Sequence, residues 1–345
     1  MGINKKEIKK ILIRGVNWIG DSVITIPVVR TIRENFPDAF IGIIVKESLV
    51  SIWENVPYVN KVYMEKVGEV GKVKDEKSEI KNQKFDLGII FPTSFSSALK
   101  MCLLNVKYRV GYPTELRGVF LTHKVPLPEK FREKYLLEEY FDIIRFIDLE
   151  IKDKLLEFFI PDNIRNKMLD LLKDKGFSDK DFIVGICPGA TFGPAKMWFK
   201  ERYADLITKV IKTYNAKIII IGSAEEKELM NFLLQKVNLN DKILISEGNI
   251  LESSALISCC KLFISNDTGP MHIAASLKIP VIAIFGSTNL LWTFPLNEES
   301  VVLYEQIDCN PCYKRKCKRT RDKYECFNLI SVDEVMDAIA EKNLK

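Results

Sequence analysis

The stretch Leu262 to Ala275 restricts the fold more than any other. The apolar run Leu262-Phe263-Ile264-Ser265 stops at the polar turn Asn266-Asp267-Thr268-Gly269 and restarts as a helix of small residues. A second apolar run, Val281 to Phe285, follows at once and ends in Gly286-Ser287-Thr288. Strand, turn, helix, strand in so short a span predicts a crossover unit of a parallel sheet, and open α/β sheets place ligands at the ends of such strands. Asp267 or Thr268 is placed to cap the helix, and Pro270 suits its first turn. Free N–H groups there, with the positive end of the helix dipole, attract a phosphate. A capped helix that binds nothing has the same signature, so the motif alone leaves both readings open.

The alternation recurs along the chain. In the first half, apolar runs at Ile11 to Ile13, Phe40 to Val45, Lys61 to Tyr63, Leu87 to Phe91 and Tyr108 to Val110 alternate with helical or irregular stretches. In the second half, runs at Phe182 to Cys187, Lys217 to Ile221 and Lys242 to Ser246 precede the two already named. Between the halves come an amphipathic helix expected over Arg132 to Ile147 and the crossing Phe158-Phe159-Ile160-Pro161-Asp162. The expected fold is therefore α/β, with two facing Rossmann-like domains, residues 1–160 and 161–330, parallel sheets and an intervening cleft. The charged span Glu65 to Lys84 has few large apolar residues and reads as an exposed excursion without chemistry.

At 345 residues the chain can bury two cores. With 47% hydrophobic and 28% charged residues it reads as soluble and globular, because no run approaches the roughly 20 apolar residues of a membrane span. Lys5, Lys6, Lys9 and Lys10 precede an apolar segment interrupted by Arg14, Asn17 and Asp21, which is unlike a secretory leader. Eight cysteines without an export signal point to a reducing, cytoplasmic compartment. The net charge of +5 is too small to require nucleic acid, and few aromatic residues interleave with the basic ones. The positive residues Lys314, Arg315, Lys316, Lys318, Arg319, Arg321 and Lys323 do crowd one segment, either a solvated loop or a contact to an anionic surface.

Four strand-ending loops carry polar residues. In Gly15-Val16-Asn17-Trp18-Ile19-Gly20-Asp21, Asp21 is either a helix cap or a general base suited to taking a proton from a sugar hydroxyl. In Pro188 to Phe199, Lys196 either supplies a point charge to a diphosphate or is solvated. In Ile221-Gly222-Ser223-Ala224-Glu225-Glu226, an acid either takes ribose hydroxyls or favours a helix start. In the fourth loop His272 lies in the first helical turn, where a buried structural histidine is the alternative. No P-loop, G-x-G-x-x-G or G-x-S-x-G motif is present, which weighs against kinase, dehydrogenase and hydrolase readings.

Three of these segments, Asn17 to Asp21, Cys187 to Trp198 and Asn266 to Ala275, resemble in order those of the lipopolysaccharide heptosyltransferases of glycosyltransferase family 9. The resemblance implies a GT-B fold and metal-independent inverting transfer, with no cofactor. The donor implied is ADP-heptose, and the acceptor is the inner core of lipid A-linked lipopolysaccharide. It implies Asp21 as base, with Lys196 and the backbone at Thr268 and Gly269 stabilising departing ADP. Thr191, Ser223, Glu225, Asp267 and His272 complete the implied donor site. Acceptor contacts are implied at Asn17, Thr93, Ser94, Ser96 and Arg117. The segment Phe91 to Leu99 resembles members that add the second heptose, onto the first. The alternatives are transfer to Kdo, or a noncatalytic protein that binds sugar nucleotides or the lipid core. The resemblance also implies a final helix, within 331–345, returning to the first domain, and a peripheral place at the inner membrane.

Cys309-x2-Cys312-x4-Cys317-x8-Cys326 has no part in such a transfer. A single C-x-x-C pair falls short of a zinc ribbon, so structural thiols, a redox crosslink and a structural metal all remain open. Cys259-Cys260 reads as core packing.

Overall fold

The computed structural model describes residues 3–65, 74–129, 131, 133–246 and 248–342. The chain divides into two compact units, Met1–Phe159 and Ile160–Lys345. In the first, strands β1 (Lys10–Arg14), β2 (Phe40–Lys46), β3 (Lys61–Glu65), β4 (Leu87–Ile90), β5 (Tyr108–Gly111) and β6 (His123–Lys124) form one parallel sheet. Its order is β3-β2-β1-β4-β5-β6. β1 and β2 are nearly continuous apolar runs with buried interiors, as expected of strands covered on both faces. The helix Ile19–Asn35 packs against Leu136–Phe146. The latter begins after the expected Arg132, which lies outside the described residues, as do residues 66–73 of the charged span.

The second unit repeats the plan. Strands β7 (Ile183–Cys187), β8 (Lys217–Ile221), β9 (Ile243–Ser246), β10 (Leu262–Asn266), β11 (Val281–Phe285) and β12 (Val301–Tyr304) are parallel, in the order β12-β11-β10-β7-β8-β9. Both sheets follow the Rossmann order, and their progression reverses between β1 and β4 and between β7 and β10. The crevice at such a reversal, beyond the carboxyl ends of the strands, is where open α/β sheets bind ligands.

The closing helix Val332–Glu341 buries Val335, Ala338 and Ile339 in the second unit's core, against the helix Lys200–Tyr214 and β11. This corrects the expectation of a return to the first domain. Its approach is fixed by Trp198, whose indole N–H donates to the Ile330 carbonyl at 3.1 Å, and by Arg202, which donates to the carbonyls of Phe327 (2.7 Å) and Asn328 (2.9 Å).

The central strands touch so closely that β7 needs a glycine. A Cβ on Gly185 would stand 2.4 Å from the Phe263 ring in β10. Gly185→Ala is therefore expected to destabilise the protein by about 1–3 kcal/mol through overpacking. Urea unfolding measures this as a lowered midpoint at unchanged slope, and an unchanged midpoint contradicts the packing described.

Candidate active site

In the second unit the loops after β7 and β10 meet at the reversal point. β10 ends in Asn266, whose fully buried carboxamide organises the first of these loops. Its Oδ1 accepts from the Trp198 backbone N–H (3.1 Å) and the Tyr203 hydroxyl (3.0 Å), and its Nδ2 donates to the carbonyls of Pro188 (2.8 Å) and Gly189 (3.2 Å). The loop so held brings Lys196 to the next residue, Asp267. Lys196 Nζ lies 2.5 Å from Asp267 Oδ2, and the Thr288 hydroxyl donates to the same oxygen at 2.7 Å.

The helix Gly269–Ser276 starts beside this pair. Thr268 occupies its N-cap position, yet no side chain caps the helix. The Thr268 hydroxyl lies 3.1 Å from that of Ser265 and 3.7 Å from the Cys187 sulfur, while the Asp267 carboxylate holds Lys196 and Thr288. The expected cap is thus corrected: Thr268 holds the N-cap position without a side-chain cap bond, and an uncapped helix start suits an anion. His272 is buried in that turn. Burial pushes its imidazole down to about 4, with Lys196 adding to the shift and Asp267 opposing it. It is neutral near pH 7, and its Nδ1 has no hydrogen bond among the described residues.

Thr191, Ser223 and Glu225 are exposed. A backbone N–H and then the Ser223 side chain hold the Glu225 carboxyl below the usual range. The neighbouring Glu226 turns inward: its Oε2 accepts from the Ser223 backbone N–H at 2.8 Å, and a Cβ on Gly189 would lie 1.7 Å from its Oε1. The inward acid of this loop is thus Glu226, while Glu225 faces solvent.

In the first unit, the loop after β1 rests on Arg14. This buried guanidinium donates to the carbonyls of Gly15 (2.6 Å) and Ile44 (3.2 Å), to Asn17 Oδ1 (3.2 Å) and to Glu65 Oε2 (2.6 Å). Burial lowers its pKa to about 10, so it stays charged. Glu65 also pairs with Lys100, whose ammonium is pushed down to about 8 by burial and then by Arg14. Glu65, expected to have no chemistry, is the anion that ties these cations together. The cap position of the helix Ile19–Asn35 is Trp18, which sets aside the capping alternative for Asp21. Asp21 is half-buried in the first turn, and its charge helps, after burial, to raise the Tyr140 phenol.

The loop after β4 carries Thr93 and Ser94, and Ser96 lies in the first turn of the helix Phe95–Leu103 that follows, its hydroxyl 3.3 Å from that of Ser94. Arg117, expected to touch the acceptor, is fully buried beneath them. It donates to the Tyr112 carbonyl (2.6 Å), the Ser97 hydroxyl (3.0 Å) and the Pro92 carbonyl, so it shapes the loop from below.

The family described as Glycosyltransferase family 9 (heptosyltransferase) matches residues 75–322, well over half of the chain. This chain belongs to that family. The transferase is 28% identical, over 85% of its length and 87% of the relative's, to the Salmonella typhimurium protein named lipopolysaccharide heptosyltransferase 2. It is 28% identical to lipooligosaccharide heptosyltransferase 2 of Campylobacter jejuni, over 95% and 96% of the two chains. The solved structure of E. coli ADP-heptose LPS heptosyltransferase II superposes with a TM-score of 0.79 at 24% identity, covering 96% of this chain and 98% of that one. The fold is thus GT-B.

Several residues that shape these loops were missed in the sequence. Asn266 and Arg14 share a signal, a polar residue closing an otherwise apolar strand. Thr288 had one as well, since it ends the loop after β11. The basic segment also proves to be more than a solvated loop. The Arg315 carbonyl accepts from Ala195 N–H at 3.1 Å, and Gly193, with φ of 132°, leaves no room for a Cβ, which would stand 2.8 Å from that carbonyl. The Tyr313 N–H donates to the Ser287 carbonyl at 2.8 Å.

Replacing Lys196 with Met leaves the buried Asp267 carboxylate held by Thr288 alone, an expected loss of about 3 kcal/mol. The Lys196→Met, Asp267→Asn double variant is expected to regain much of it. Denaturant titration compares the variants, and equal losses in the single and double variants contradict a coupled pair. For His272 the folded-state pKa is depressed from 6.5 to about 4. The stability tied to the neutral ring is therefore complete above pH 6.5 and lost as pH falls toward 4. His272→Asn should lose less stability than wild type over that window, and parallel pH curves would refute the assignment.

Proposed function

We propose that this glycosyltransferase moves L-glycero-D-manno-heptose from ADP-heptose to the first heptose of the lipopolysaccharide inner core, with inversion at the anomeric carbon. The carrying observation is the Lys196 ammonium held against Asp267 beside the uncapped start of the helix Gly269–Ser276. A diphosphate binding there meets one lysine charge and the N–H groups at Thr268 and Gly269, where negative charge grows as ADP departs. The lysine then exchanges part of its contact with Asp267 for the phosphate, which frees the carboxylate to take heptose hydroxyls. Neutral His272 donates or accepts a hydrogen bond without adding charge. Thr191 borders the diphosphate, and Ser223 with Glu225 or its inward neighbour Glu226 takes the ribose.

On the acceptor side, Asp21 removes the proton from the attacking hydroxyl. Asn17, Thr93, Ser94 and Ser96 contact the core sugar, and Arg14 and Arg117 hold the loops that present them. The relatives named heptosyltransferase 2 support the second-heptose assignment. The exposed side chains of Lys314, Lys316, Lys318, Arg321 and Lys323 suit peripheral contact with an anionic cytoplasmic membrane face. Among the described residues no helix is long and apolar enough to cross a membrane. Neutralising those five residues should reduce sedimentation with vesicles containing anionic lipid, and unchanged sedimentation removes the membrane contact.

ADP release from ADP-heptose tests the reaction, with Kdo2-lipid A acceptors that bear one heptose or none. Turnover only on the heptose-bearing acceptor is expected, and preference for the bare one overturns the assignment. Asp21→Asn should lower kcat by roughly 10² to 10⁴-fold with donor affinity kept. Loss of donor binding in that variant would contradict a base role.

A further inference from the structure

The reading above leaves the four cysteines of the basic segment without a task. Cys309, Cys312, Cys317 and Cys326 all line one cavity of about 300 Å³ beside Ala195 and Ser287. All four are thiols in the structure. The segment 305–324 that supplies three of them contains no strand or helix. Stretches this long without regular structure inside a compact unit are uncommon and usually carry a function. Tyr313, Asp322 and Tyr324 nonetheless adopt left-handed backbone, with φ of 53°, 49° and 61°. Such conformations persist in bulky residues only where the surroundings impose them.

Donors and cations stand beside the sulfurs. The Tyr324 backbone N–H donates to Cys317 Sγ at 3.4 Å, and Arg319 Nη1 lies 3.9 Å from Cys309 Sγ. Lys314, Lys318 and Arg319 line the same cavity. They are positioned to balance the net negative charge that four thiolates keep after binding a divalent ion.

We propose that Cys309, Cys312, Cys317 and Cys326 are the four ligands of one structural metal ion, zinc or ferrous iron, bound as a tetrathiolate. Four soft anionic ligands in a closed set fit these ions and exclude magnesium or calcium, which take oxygen. Among the described residues no three ligand-type side chains stand at metal-binding spacing. Ligation therefore requires the sulfurs to converge across the cavity that all four line. The ion would staple the segment whose Arg315 and Tyr313 backbones bond the Lys196 loop and the Ser287 carbonyl. It lies outside the transfer chemistry and is independent of which acceptor the enzyme uses.

The test uses the full chain purified under reducing conditions without chelator or metal-affinity resin. Elemental analysis should find one zinc or iron per chain and so distinguish the two ions. Exchange into cobalt(II) should give a thiolate-to-cobalt charge-transfer band. Cys312→Ser and Cys326→Ser should each lose the metal and melt earlier, while Cys259→Ser retains it. The wild-type cobalt spectrum does not depend on those variants folding. Protein that contains no metal and takes up no cobalt after reduction overturns the proposal, as does a disulfide within the cluster found by mass spectrometry of freshly purified protein.

Discussion

The second unit's site depends on one buried side chain, Asn266. A carboxamide with both ends satisfied inside a protein fixes whatever it bonds, because any displacement strands a desolvated polar group at a cost of about 1–3 kcal/mol. Here it bonds three points of the loop after β7 and the Tyr203 hydroxyl. The loop's shape thus follows from the end of β10, and with it the meeting of Lys196 and Asp267. The helix start beside them has no side-chain cap from Thr268, whose hydroxyl lies by Ser265 and Cys187, while the Asp267 carboxylate holds Lys196 and Thr288.

The first unit reaches a comparable result with a charge. Arg14 also closes a strand at the reversal point of its sheet, and it braces the loop that leads to Asp21. Buried guanidinium needs a counterion, and Glu65 supplies it from the end of β3. Arg117 repeats the device under the loop after β4, where carbonyl oxygens and a hydroxyl replace the carboxylate. In both units rigid strand ends, and not the loops themselves, define where polar side chains point.

This division explains what could be read from the sequence. Ten apolar runs mark strands, most plainly β1, β2, β7, β8, β10 and β11, where burial on both faces leaves little choice of residue. β6, with two residues, and β12, a half-buried edge strand of four, carry too little pattern to be seen. Loop residues announce their chemistry but not their direction. Glu225 and Glu226 are identical in type and adjacent, and only the backbone at Ser223 decides which turns inward. Arg117 looks like a ligand for an anionic sugar until its burial is known. Glu65 sits at the edge of a charged span, and its value lies in two cations distant in sequence. The last helix shows the same limit, since its apolar face does not say which sheet it covers.

Calorimetric titration of ADP into the enzyme and its Lys196→Met variant tests the central claim most directly. ADP should bind the wild-type chain, and the variant should bind it at least about tenfold more weakly, near 1.4 kcal/mol, with its circular dichroism unchanged. Equal affinity in both would contradict the placement of the diphosphate between Lys196 and the helix Gly269–Ser276.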